Sequence, residues 1–220
     1  MTIKIMDKKE DLIRLLKREG FSDDIISAFD VVKREKFVQE EHMSNTYEDV
    51  PLPIGHGQTI SQPSTIAFML RMLEVMPSQK ILEIGSGSGY VLDLLSHLSP
   101  DGKIFGIERI KELAESSSSI LSDHKNIKVI HSDGSNGLSE ESPFDRILVS
   151  AASVDIPQKL TQQLKTKGIL VAPVGNSIIK VKKESGMNKV NEYPGFVFVP
   201  LVKGKENSKG GEDGDIDGNS

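Results

Sequence analysis

Hydrophobic residues recur along this chain with two different spacings, and the change between them divides it. From Asp7 to Glu19 they fall three and four apart. That spacing predicts a helix with Leu12, Leu15 and Leu16 on one face and Gly20 as its stop. Ser22 stands where an N-cap belongs, ahead of a second helical stripe of Ile25, Phe29 and Val32. From Gln39 to Gln62 no apolar period is visible. The stretch Pro51-Leu-Pro-Ile-Gly-His-Gly-Gln-Thr-Ile-Ser-Gln-Pro63 is dense in Pro, Gly, Thr and Ser, which predicts an ordered loop better suited to binding than to packing. Helical spacing returns from Pro63 to Val75, with Ile66, Leu70 and Leu73 inward and an end enforced ahead of Pro77.

Beyond Lys80 short apolar runs alternate with helical stretches. Strands are expected at Ile81–Ile84, Ile104–Ile107, Ile127–Ile130, Arg146–Ser150 and Ile169–Val174. Helices are expected over Tyr90–Leu98, Lys111–Ser122 and Pro157–Leu164. This succession predicts an α/β fold with a parallel sheet covered on both faces. Ser177–Val181 and Asn191–Val199, around a turn at Ser185-Gly186, predict antiparallel strands at one edge. Lys203–Ser220 sets three Lys against five Asp and Glu and holds one large apolar residue, Ile216; a disordered tail is expected.

Composition narrows the chemistry. With 220 residues, 37% hydrophobic and 27% charged, the chain suits a single soluble domain, here residues 1–202, with residues 1–78 ahead of a sheet-forming 79–202. A net charge of −5 argues against a nucleic-acid footprint. The absence of cysteine removes disulfides, thiolate metal sites and a cysteine nucleophile. Neither an apolar leader nor a membrane-length run is present, so a cytoplasmic protein is expected, and a monomer.

Candidate chemistry gathers at the expected strand ends. The first strand runs into Gly85-Ser-Gly-Ser-Gly89, whose glycines permit a sharp turn and a close ligand approach. The spacing G-x-G-x-G, with Tyr90 next, differs from the dinucleotide fingerprint and disfavours a pyrophosphate cradle. The second strand ends in Glu108, nineteen residues after Gly89, where a carboxylate can accept both ribose hydroxyls of a nucleoside. The third is followed by Asp133-Gly134, where an acid can accept from an adenine amino group. Taken singly, Glu108 reads equally well as a surface acid paired with Arg109 or Lys111, and Asp133 as a turn former. Glu83, inside an apolar strand, resists a purely structural reading. His131 reads as an ordinary strand residue.

This constellation resembles the class I S-adenosylmethionine-dependent methyltransferases. The loop is more specific. Tyr47–Pro63, Ile107–Ala114, Asp133-Gly134, Phe144–Val149 with Ala151-Ala152, Leu170–Gly175 and Phe196–Leu201 together resemble the protein-L-isoaspartate O-methyltransferases over roughly residues 5 to 202. Departures fall at Val50, Ser153 and Val197 and in the helix after Gly89.

The resemblance implies a doubly wound, mostly parallel seven-stranded sheet. It implies S-adenosyl-L-methionine as cofactor, S-adenosyl-L-homocysteine as product, and methyl transfer to the free carboxylate of L-isoaspartyl residues in damaged proteins and peptides. It assigns Ser61 to the active site and Thr59, Ile60, Glu83, Gly85, Gly87, Glu108, Arg109, Asp133 and Gly134 to the cofactor, with no metal. Ser61 as an N-cap of the helix near Pro63 stays open beside that role. A Ser-His-Asp reading through His56 lacks a nucleophile elbow and an oxyanion hole. A cofactor-binding protein with lost or different acceptor chemistry is the alternative.

Overall fold

The computed structural model describes residues 2–196, with side chains from residue 7 onward. The expected strand residues Val197–Val199, the departure at Val197, the domain end at 202 and the tail lie outside the described residues.

Helices α1 (Thr2–Arg18) and α2 (Asp23–Val31) open the chain. Leu12 and Leu16 are buried, with Leu15 packed at the margin of the core. Ser22 occupies the N-cap position of α2, but its hydroxyl makes no capping bond. The Asp24 carboxylate accepts the Ile25 N–H instead, at 2.9 Å.

The expected loop from Gln39 to Gln62 is not irregular. A 3-10 turn covers Glu40–Asn45, after another at Arg34–Phe37. A hairpin follows, built from β1 (Leu52–Gly55) and β2 (Gln58–Ile60). Leu52, Ile54 and Ile60 point inward, a period of two too brief to register in the sequence and masked by Pro53. Gly55, His56 and Gly57 all take positive φ (89°, 52° and 67°), which turns the chain within two residues of the strand ends.

Helix α3 (Pro63–Leu73) buries Ile66, Leu70 and Leu73 as expected, and Met69 as well. It ends two residues early because Glu74 turns left-handed at φ 53°. Arg146 donates to the Glu74 carbonyl through Nε and Nη2 at 3.0 and 2.8 Å. A tertiary contact therefore closes this helix ahead of Pro77.

Seven strands make the sheet: β3 (Lys80–Ile84), β4 (Lys103–Glu108), β5 (Ile127–His131), β6 (Phe144–Val149), β7 (Leu164–Val174), β8 (Ser177–Lys182) and β9 (Lys189–Pro194). Their order is β5-β4-β3-β6-β7-β8-β9. The first five are parallel; β8 and β9 pair antiparallel at the edge. Strand β7 starts five residues before Ile169, across the exposed Lys165–Lys167 that carries no apolar signal. It claims Leu164 opposite Phe144, so α6 (Gln158–Gln162) is shorter than its apolar spacing suggested.

Alternation along β3 sorts the two faces. Leu82 and Ile84 pack with Phe144, Ile147 and Leu170 on one side. Ile81 joins Leu70, Leu73, Leu92 and Leu95 on the other, under α3 and α4 (Tyr90–Leu98). Helix α5 (Lys111–Ile120) follows β4. The same cluster takes in Leu16, Phe29, Ile54 and Ile60, so the N-terminal helices and hairpin share one core with the sheet. Among the described residues no helix is long and apolar enough to cross a membrane, and no group of three His, Asp or Glu could hold a metal.

Gly89 ties the glycine turn to α5. Its φ is 88°, and a Cβ there would stand 2.8 Å from Leu121 Cδ1 and 3.0 Å from Ser117 Cβ. Left-handed strain and overpacking together predict a loss of about 2–4 kcal/mol for Gly89→Ala. Urea unfolding of the variant checks this, and an unchanged midpoint would contradict it.

Candidate functional site

The chain runs from β3 to β5 on one side of the sheet and then crosses to β6 on the other side of β3. A crevice opens where the order reverses, beyond the carboxyl ends of β3 and β6. Glu83 lies on β3, and Ser150 directly follows β6.

Being odd-numbered beside Ile81, Glu83 faces the side covered by α3 and α4. Its side chain is 1% exposed. Ser150 Oγ donates to Oε1 at 2.6 Å, while Oε2 has no hydrogen-bond partner among the described residues. Burial pushes this carboxyl up to about 8, against the Ser150 hydrogen bond and with a smaller push from the Glu108 charge. At neutral pH it is therefore mostly protonated, and a cation placed beside Oε2 would draw the proton off.

The glycine turn follows. Gly85, Gly87 and Gly89 take φ of 77°, 52° and 88°, conformations other residues adopt only under strain. Glu108 closes the turn from the neighbouring strand. Its Oε2 accepts from Gly87 N and its Oε1 from Ile110 N, both at 2.9 Å. Each oxygen keeps a further lone pair for a ligand hydroxyl. With 5% exposure it is not a surface acid, and Lys111 pairs with Glu115 instead.

Thr59, Ile60 and Ser61, Glu83, Gly85, Gly87 and Ser150 line one cavity of about 50 Å³, with Met69, Ser86 and Tyr90. The second hairpin strand thus forms the wall opposite the glycine turn. Four buried side-chain polar atoms lack a partner among the described residues, and three of them, Glu83 Oε2, Ser86 Oγ and Tyr90 OH, belong to cavity residues. A ligand the size of a nucleoside must extend from this enclosed part along the strand ends.

Arg109 follows β4, Asp133 and Gly134 lie beyond the end of β5, and none of the three lines the cavity. Asp133 Oδ1 accepts from Ser135 N at 2.8 Å, which makes it a turn former in this structure. Gly134 has a packing reason of its own, because a Cβ would come within 2.6 Å of Ile84 Cγ2. His131 lies on β5 with Nε2 3.1 Å from the Arg109 carbonyl oxygen. His56 sits at the hairpin tip, away from the cavity wall. Ser61 is not the N-cap of α3; Gln62 is, and the first-turn N–H of Ser64 goes to Asp49.

Sequence reasoning missed Ser150, Ser86, Tyr90 and Arg34. The position after β6 was readable as one side of the switch point, given the strand order. Arg34 carried no signal, since a lone Arg in an irregular segment reads as surface; here it is fully buried.

Comparison with known proteins agrees with this geometry. The family model for protein-L-isoaspartate(D-aspartate) O-methyltransferase (PCMT) matches residues 7–206. A protein-L-isoaspartate O-methyltransferase of Methanococcoides burtonii is 40% identical over 198 residues, covering 87% of this chain and 98% of its own. One from Methanocella arvoryzae is 44% identical over 187 residues, covering 82% and 99%. A solved Plasmodium falciparum structure, described as a candidate protein-L-isoaspartate O-methyltransferase in complex with S-adenosyl-L-homocysteine, has a TM-score of 0.78 at 28% identity, covering 88% of this chain and 97% of its own. The chain belongs to the protein-L-isoaspartate(D-aspartate) O-methyltransferase family.

Proposed function

We propose that this chain is a protein-L-isoaspartate O-methyltransferase that acts on damaged proteins and peptides, as a cytoplasmic monomer needing neither metal nor nucleic acid. The observation that carries the reading is the meeting of Thr59–Ser61 with Glu83 and the glycine turn around one cavity. An acceptor loop and a cofactor turn share a wall there.

The residues present fit S-adenosylmethionine. Glu83 Oε2 is a buried acceptor that suits a cationic amino group. Gly87 leaves room beside Ile54, where a Cβ would stand 3.2 Å from Cδ1. Glu108 is oriented by two backbone N–H groups to receive ribose hydroxyls. Asp133, with Arg109 and Gly134 nearby in the fold, serves the base end. When bound, the cofactor would supply a methyl carbon on a positive sulfur, which could leave with the C–S electron pair once an acceptor oxygen takes the methyl.

The protein's own share is positional. An isoaspartyl carboxylate, with an ordinary pKa near ~3.9, is already ionised at pH 7, so no base is required. Ser61 donates its hydroxyl to that carboxylate and aligns one oxygen with the methyl carbon. The hairpin keeps water from the reacting pair. Such alignment is worth up to about 7–11 kcal/mol in favourable cases. The departures at Val50 and Ser153 fall outside the cavity wall. Val50 is exposed, and Ser153 is tied to the end of β7 through its N–H to the Pro173 carbonyl at 3.0 Å.

The deciding experiment is methyl transfer to paired peptides that differ only in linkage. An isoaspartyl carboxylate sits directly on Cα, one methylene nearer the backbone than an aspartyl one. A misplacement near ~1 Å costs on the order of 10²-fold in rate, so L-isoaspartyl peptides should be methylated and matched L-aspartyl peptides hardly at all. Equal rates would remove the repair function. Ser61→Ala should depress turnover and leave S-adenosylhomocysteine affinity nearly intact; parallel damage to both would move Ser61 to the cofactor. Binding of S-adenosylhomocysteine, whose amino group is cationic, should release a proton from Glu83 below its value of about 8 and tighten as pH rises from 6.5 toward 8. Calorimetry in buffers of different ionisation heat reads that proton, and Glu83→Gln should abolish its release. Release that persists in the variant would exclude Glu83.

A further inference from the structure

Two charged residues that never reach the cavity grip the segment that does. Arg34, in the first 3-10 turn, is fully buried. Its Nε donates to the Thr46 carbonyl and its Nη2 to the Ser61 carbonyl, both at 2.9 Å. Its guanidinium lies 5.0 Å from the ring centroid of Tyr90, the residue that follows the glycine turn. Asp49 takes the other side. Its Oδ1 accepts from Ser64 N at 2.8 Å and its Oδ2 from Gln62 Nε2 at 2.9 Å.

We propose that Arg34 and Asp49 form a two-point clamp that positions Ser61 against the cofactor turn. The proposal rests on the function argued above, and both are positioning residues, since neither lines the cavity.

Three observations support it. Both grips converge on residues 61–64, one on the carbonyl of Ser61 and one on Gln62 and Ser64. Ser61 itself lines the cavity, so the bond to its carbonyl holds a wall residue in place. Burying a whole guanidinium is expensive, and desolvation lowers the Arg34 pKa. A helix cap or a turn could satisfy one carbonyl at far lower cost. What Arg34 adds is a planar fork that joins Thr46, Ser61 and the Tyr90 face in one rigid unit. The acceptor loop and the glycine turn then share a reference point, although they belong to segments 29 residues apart (Ser61 to Tyr90).

The test uses the full chain with Arg34→Lys, which keeps the charge and loses the fork, and separately Asp49→Asn. Three quantities are read: the Kd of S-adenosylhomocysteine, kcat and KM on an L-isoaspartyl peptide, and the methyl NMR signal of Ile60. Buried Ile178 on β8 serves as the reference. Each variant should lose about tenfold or more in kcat, with Kd and KM changed less than about threefold. The Ile60 methyl should broaden or split while Ile178 stays sharp. A lower melting temperature with kcat and Ile60 unaltered would make the pair merely structural and overturn the proposal. Should Arg34→Lys fail to fold, Asp49→Asn decides by the same readouts. A wild-type protein inert toward isoaspartyl peptides would overturn the functional reading alone, and the Ile60 signal would still decide the clamp.

Discussion

The parallel pairing of β3 with strands on both sides is the constraint from which the site follows. A strand flanked by β4 and β6 must sit where the chain changes direction across the sheet. Successive helices cover opposite faces on either side of that point, so no connection closes over it. The carboxyl ends of β3 and β6 are left open, and the residues that stand there are Glu83, the glycine turn and Ser150. The apolar cores on the two faces hold β3 rigid, with Ile81, Leu82 and Ile84 each at most 1% exposed. A buried carboxyl on that strand cannot move away to water.

Two carboxyls, Glu83 and Glu108, set the electrostatics of this end of the sheet. Glu108 is held by two N–H groups, one on each carboxylate oxygen. Glu83, one strand away and deeper, is pushed toward the neutral form by burial and by the Glu108 charge. The two carboxyls of one site thus meet different surroundings. One is ready to accept hydroxyls, and the other answers to an arriving cation.

The acceptor side is built on a different principle. The hairpin is only two short strands, too small to hold its shape alone in water. Its inward residues Leu52, Ile54 and Ile60 anchor it to the core, and the polar grips of Arg34 and Asp49 hold the segment after it. Apolar contact fixes which face is down. Directional hydrogen bonds then fix where Ser61 stands along that face.

The sequence by itself determined the order of strands and helices, the glycine turn and the acid at the end of β4. These follow from local causes: apolar period, turn chemistry and the reach of a carboxylate from a strand end. Helix α4 runs from Tyr90 to Leu98 as its spacing predicted, and β3, β4 and β5 extend their predicted cores by one or two residues. The hairpin was hidden because two inward positions around a proline make no period. Helix α3 stops at Leu73 because Arg146, far along the chain, binds the Glu74 carbonyl. The protonation of Glu83 depends on what covers it, and the burial of Arg34 on what surrounds it. Both arise from residues distant in sequence, so only the tertiary structure could decide them.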